Sequence, residues 1–382
     1  CYAAGDYKSA ARWLKMANQD DPRALWLSAK LDLRQGEVED ATQKMRRAIK
    51  ALEQEPHWNP QNPNLMLGHS QIERRYAAQG KLLADHGTIC MAREEYVFSM
   101  NAFYHGNYWH DAAYVAERVL TTDELIAFVR KTAPEWTEKV VRWWDGESEE
   151  HSPPRRIPLA RAFQQNGGQF DHYFSNNRGD QLRYLTARRL MREFRFNEAW
   201  EFVPKPLLEL FDYYVKLHRG ARSGAYQGKQ LAAIRWTKAG ILRHYGIELI
   251  GTEVAPDFFL YSGSYELSDI AEARIHRLGW VYDWDQDQYI GEENAALPIA
   301  KSELARVSAH SVKPMKRFHY RYLAADSAWN AATRLPSNDD LQAAIYNTAG
   351  KWIATRDPKA ANRFYQAMVR RNWRTEIGKR AD

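Results

Sequence analysis

A chain of 382 residues is long enough for two ordinary domains or one continuous solenoid. Its 45% hydrophobic and 27% charged residues suit a folded protein, and no run approaches the roughly 18 apolar residues that would cross a bilayer as a helix. The 54 Lys and Arg against 48 Asp and Glu leave +6 with both signs interspersed, which disfavours a dedicated nucleic-acid binder; Cys1 and Cys90 are too few for a disulfide framework or a thiolate-rich zinc site.

Along the chain, Gly5-Asp6-Tyr7-Lys8-Ser9-Ala10 returns as Gly36-Glu37-Val38-Glu39-Asp40-Ala41, an offset of 31 residues that also carries Ala17 to Ala48. Between the copies Asp21-Pro22 ends one helix and starts the next, because proline suits only a first turn. These residues resemble the tetratricopeptide (TPR) repeat family, whose unit is a helix with a small residue at its crossing point, a Gly-Asx-Tyr turn, a second helix with small residues seven apart, and a closing proline. The resemblance implies an all-α superhelix, a TPR-like solenoid of stacked antiparallel helix pairs. In it Ala29 is the small residue of a first helix, Gly36 the turn, and Ala41 and Ala48 the second helix. Backbones approach closely only where such residues meet, so Trp13, Leu14, Trp26 and Met45 are expected to fill the outer gaps.

The repeat phase puts Cys1 and Tyr2 near the end of a first helix whose earlier turns are missing. Either residues upstream of Cys1 are absent, or Cys1 is the lipidated first residue of a mature bacterial lipoprotein. The lack of a polar tether after it favours the former.

Weaker copies follow. Gly106-Asn107-Tyr108 precedes Ala112 and Ala116 in a helix-turn-helix over about 92–120, and Ala187 leads to Phe194-Arg195-Phe196-Asn197-Glu198-Ala199, with Phe194 in the place of the turn glycine and Pro204 cutting the second helix short. Near the C-terminus Ala324, Ala328, Ala331 and Pro336 form one second helix, and Asp357-Pro358, Ala360, Phe364 and Ala367 the next. Helical patterns also cover 71–85, 122–130, 207–218, 229–244 and 302–310, while 246–261, broken by Pro256, reads as a buried connection. The polar stretch 145–158, with three prolines, divides N-terminal repeats (1–144) from a C-terminal helical region (159–382); a second loop at 164–180 contains Arg178-Gly179-Asp180, a tripeptide too short to count as an adhesion signal.

Candidate chemistry is sparse. Asp283, Asp285 and Asp287 alternate as in calcium-binding loops, yet Gln288 stands where such loops need glycine and Asn294 where they need glutamate. Calcium is thus the one cofactor to consider, with a solvated acidic loop the better reading. Arg188, Arg192 and Arg195 recur at helical spacing with Arg183 and Arg189 nearby, an arginine face for carboxylates or phosphates or else a solvated face with local ion pairs; Arg370, Arg371 and Arg374 form a smaller cluster. Glu253 and Asp257 lie in an apolar stretch that would raise a carboxyl pKa. His86 and Cys90 are four apart, but Gly87 between them argues against a firm helical pair. No nucleophile elbow, phosphate-cradling glycine loop or His-Glu-x-x-His helix occurs.

The expectation is therefore a non-catalytic scaffold that binds a peptide or a subunit of a larger assembly, with Trp143 and Trp144 beside the 145–158 stretch as aromatic anchors. The alternative is a binder of an anionic polymer, RNA or an acidic glycan, through the arginine face. An enzyme using the helices to position substrate ranks third. A bacterial envelope or periplasmic location suits the aromatic-rich chain and Cys1, with the cytoplasm as the alternative.

Overall fold

The computed structural model describes residues 1–53, 71–137, 177–252, 280–283, 288–291 and 300–380, with backbone alone for 71–78 and the two short strands. In chain order the helices are α1 (Tyr7–Leu14), α2 (Pro22–Gln35), α3 (Val38–Glu53), α4 (Gln71–Ala92), α5 (Tyr96–His105), α6 (Trp109–Tyr114) and α7 (Thr122–Thr132). After them come α8 (Arg178–Arg192), α9 (Phe196–Ala199), α10 (Leu208–Gly220), α11 (Gly228–Ile250), strands β1 (Trp280–Asp283) and β2 (Gln288–Gly291), then α12 (Lys301–Ala309), α13 (His319–Ala332), α14 (Asp340–Ala354), α15 (Pro358–Asn372) and α16 (Glu376–Lys379). Adjacent helices pair, as expected. The chain forms two compact units, one of Cys1–Phe128 with Ser268–His310 and the other of Val129–Leu267 with Ser311–Asp382. The expected linker at 145–158 lies outside the described residues.

In the first unit the repeat residues take their anticipated places. Asp21 caps α2 by accepting from the Arg23 amide at 2.8 Å, Pro22 opens it, and Gly36 closes it at φ 83°. Ala29, Ala41 and Ala48 are fully buried where α2 and α3 meet, with Met45 and Leu25 packed around them. The earlier copy is shorter than its sequence suggests: α1 stops at Leu14, Ala17 is exposed, and Trp13 is 56% exposed rather than filling a gap. At the α5–α6 turn the left-handed residue is Asn107 (φ 71°), not Gly106. Gly106 instead lets the turn touch α4, since a Cβ there would lie 3.0 Å from the Gly80 carbonyl oxygen and the Leu83 Cβ.

The helix α12 belongs to this unit although it is encoded some 170 residues after α7 ends. It packs on a π-helical turn, Val115–Val119, that follows α6. Polar groups hold it there: Tyr114 Oη donates to buried Glu303 at 2.8 Å, Arg306 pairs with Glu124 at 2.6 Å, and Arg118 and His310 exchange hydrogen bonds at 2.9 and 2.8 Å.

In the second unit each of α10, α11, α13, α14 and α15 packs on the next, so α13 takes the place beside α11 despite the intervening chain. Small residues line the contacts: Ala232 and Ala239 of α11, Ala325, Ala328, Ala331 and Ala332 of α13, Ala349 of α14 and Ala361 of α15 are all 0–1% exposed. Residues 246–250 are a correction to the expected connection. They continue α11 as helix beyond a kink at Tyr245, and a Cβ on Gly246 would sit 2.6 Å from the Tyr320 side chain. In the stretch assigned to the first unit, β1 and β2 pair antiparallel, with Asp283 opposite Gln288. The alternation of Trp280-Val281-Tyr282 and Tyr289-Ile290 was their signal. Asp283 therefore ends a strand, whereas calcium loops of this spacing join helices; Asp285 and Asp287 lie outside the described residues.

Candidate interaction surface

Helix α8 starts where Asn177 accepts from the Gly179 and Asp180 amides at 2.8 and 3.2 Å. It is buried from Gly179 to Met191, which is not the solvated face its arginines suggested. Arg183 donates to the carbonyls of Ala133, Pro134 and Glu201, each at 2.8 Å, and so satisfies acceptors left open at two helical ends. Arg188 is fully buried with its guanidinium 4.0 Å from the Tyr184 ring. Arg192 donates to the Ile250 carbonyl at 2.6 Å, and Arg195 pairs with Glu198 at 2.6 Å. Arg188 and Arg192 thus share α8 while Arg195 precedes α9, and all three are engaged by the protein's own groups, Arg188 fully buried and the other two partly. Asp180 is buried too and accepts from the Thr137 amide at 2.9 Å, so the Arg-Gly-Asp tripeptide is a helix start. Trp143, Trp144, Glu253 and Asp257 lie outside the described residues.

His86 and Cys90 meet on α4, contrary to the argument from Gly87. The glycine is helical because Phe103 of α5 presses to 2.9 Å from where its Cβ would be. The Cys90 thiol lies 3.6 Å from His86 Nε2 and 3.6 Å from Glu95. Side by side these groups look like a nucleophile, a base and an orienting acid. Their energetics oppose it: burial, with Glu95 beside it, pushes the thiol up to about 12, and burial pushes His86 down to about 4. A thiolate is the reactive form, so this is an inert core thiol.

The more open chemistry lies on α10, α11 and α13–α15. Trp236 of α11 and Trp352 of α14 stack with centroids 5.4 Å apart and planes within 5°. Both are half-buried, packed inward on the alanine-lined core. Trp329 of α13 stands edge-on to Phe364 at 5.3 Å, with the Arg363 guanidinium 5.3 Å from its ring. Around α11 the charge is positive: Arg235 donates to the Asn330 carbonyl at 3.2 Å, Lys238 lies one turn on, and exposed Arg222 and Arg334 follow α10 and α13. No family model, curated protein or solved structure matches this chain.

The small arginine cluster divides by role: Arg371 reaches the Leu335 carbonyl at 3.3 Å and ties α15 to the end of α13, Arg374 covers Trp373 at 4.6 Å, and Arg370 is exposed. Among the described residues, no group of three metal-ligating side chains converges.

Proposed function

We propose that the protein is an interaction scaffold, a TPR-like solenoid whose helices α10, α11 and α13–α15 bind a segment of a protein partner. The observation that carries this reading is the stacked Trp236–Trp352 pair, brought together from distant helices and left half open. Close helix packing through alanine fixes the two rings in place, and rigid aromatic anchors are what dominates binding energy at protein interfaces. The engaged α8 arginines weigh against the polyanion alternative, and the quenched Cys90 thiol weighs against thiol chemistry.

The test is affinity capture with the native protein at about 50 and 300 mM salt, beside Trp236→Ala and Trp352→Ala variants checked for helical content. A discrete protein retained at both salts, and lost with either variant that keeps its fold, supports the reading. Nucleic acid or glycan recovered only at low salt overturns it.

A further inference from the structure

Lys238 lies on α11 one turn from Arg235, the position a helix places on the same side. Its side chain is half-buried, and among the described residues no carboxylate pairs with it, with Arg222 or with Arg334. The charges that act on it are alike: burial, then Arg235 and Arg222, push the Lys238 amine down, and burial and Arg334 do the same to Arg235. His218 of α10 reports the same field from across the hairpin. It is 8% exposed, its Nδ1 is buried with no hydrogen-bond partner, and burial with Lys238, Arg222 and Arg219 pushes it down to about 4. Gathering like charges at a half-buried amine costs stability that a bound anion would return.

We infer that Lys238, Arg222 and Arg235 bind carboxylates of an acidic peptide segment at the α10–α11 hairpin. The inference rests on the scaffold reading and names the chemistry of its partner. Peptide carboxylates fit better than nucleic-acid phosphates because many other arginines are already neutralised by the protein's own acids. Arg46 and Arg93 pair with Glu95, Arg130 with Glu201, and Arg363 with Asp326. A polynucleotide needs a track of open cations, since its phosphates repeat every few ångströms. Here the unmatched charge is compact, confined to Lys238, Arg235 and Arg222 at the α10–α11 hairpin.

The experiment is fluorescence anisotropy with a fluorescein-labelled hexaglutamate peptide on the full chain. Native protein, Lys238→Met (which keeps the apolar stem) and Arg222→Ala in the exposed loop are compared, with hexauridylate as the competing probe. Saturable hexaglutamate binding that weakens at least about tenfold in both variants, at unchanged or higher unfolding temperature, is the expected result. Should Lys238→Met unfold, Arg222→Ala decides alone. Absent or non-saturable binding, equal binding by native protein and variants, or hexauridylate bound more tightly at the same residues overturns the inference. The two readings fail separately: a captured partner lost with Trp236→Ala but unaffected by Lys238→Met and Arg222→Ala removes the acid site and keeps the scaffold, whereas native protein that captures nothing removes the scaffold.

Discussion

Phe194 holds the left-handed conformation (φ 60°) that glycine holds at Gly36, and bulky L-residues adopt it only at a cost of about 1–2 kcal/mol. Its ring offsets part of this by lying 5.0 Å from His218. Phe194→Gly is therefore expected to change stability by less than about 1 kcal/mol while admitting water to the imidazole, so that NMR titration finds the His218 pKa well above about 4. His218 and His86 are both held neutral by burial, with pKa values near 4 against an ordinary 6.5. The unfolded chain binds the extra protons, so their stabilising contribution is complete above pH 6.5 and is lost as pH falls towards 4. Denaturant melts across that window should show a loss on the order of 3 kcal/mol for each histidine. At Cys90 the high thiol pKa predicts that a thiol reagent labels exposed Cys1 in the native protein and reaches Cys90 only after denaturation.

Between helices, small residues do what bulky ones cannot. Gly246→Ala would drive a methyl into the Tyr320 side chain and should lower stability by about 1–3 kcal/mol, read as a drop in thermal midpoint. Gly224→Ala, with open space around it and only its φ of 76° to strain it, should cost about 1 kcal/mol. The repeats near the N-terminus were legible because their signals are local: Gly36 and Pro22 mark helix ends, and Ala29, Ala41 and Ala48 mark one seam. Arg188 and Arg189 were not, since an arginine run reads as a wet surface and only the packing around α8 reveals its burial. Gly87 misled for a related reason, because its cause, the Phe103 ring, comes from another helix. The strand pair was hidden because the aspartates alternating from Asp283 to Asp287 read as an acidic loop and overlap the alternating strand residues. Of the candidate surface, the sequence announced the abundance of tryptophan and arginine, not which of them would meet.

For the molecule as a whole, the α11–α13 contact is the seam that local pattern does not reveal, since it joins helices separated by residues 251–318. Removing 317–371 strips the partner from Ala232 and Ala239 of α11, and the remaining 1–316 fragment is expected to aggregate in size-exclusion chromatography. A soluble, monomeric fragment would count against a continuous stack.

The placement of α12 in the first unit bears on how the protein is made. A ribosome that has released residues up to Phe128 has delivered most of that unit without the helix that covers its π-helical turn, and Glu303 and Arg306 emerge only after much of the second unit. Neither unit is complete when its first stretch is, so both close late in synthesis, in an order dictated by the gene rather than by proximity in the fold. The N-terminal half is in this sense a ward of its own C-terminal half until translation is nearly done.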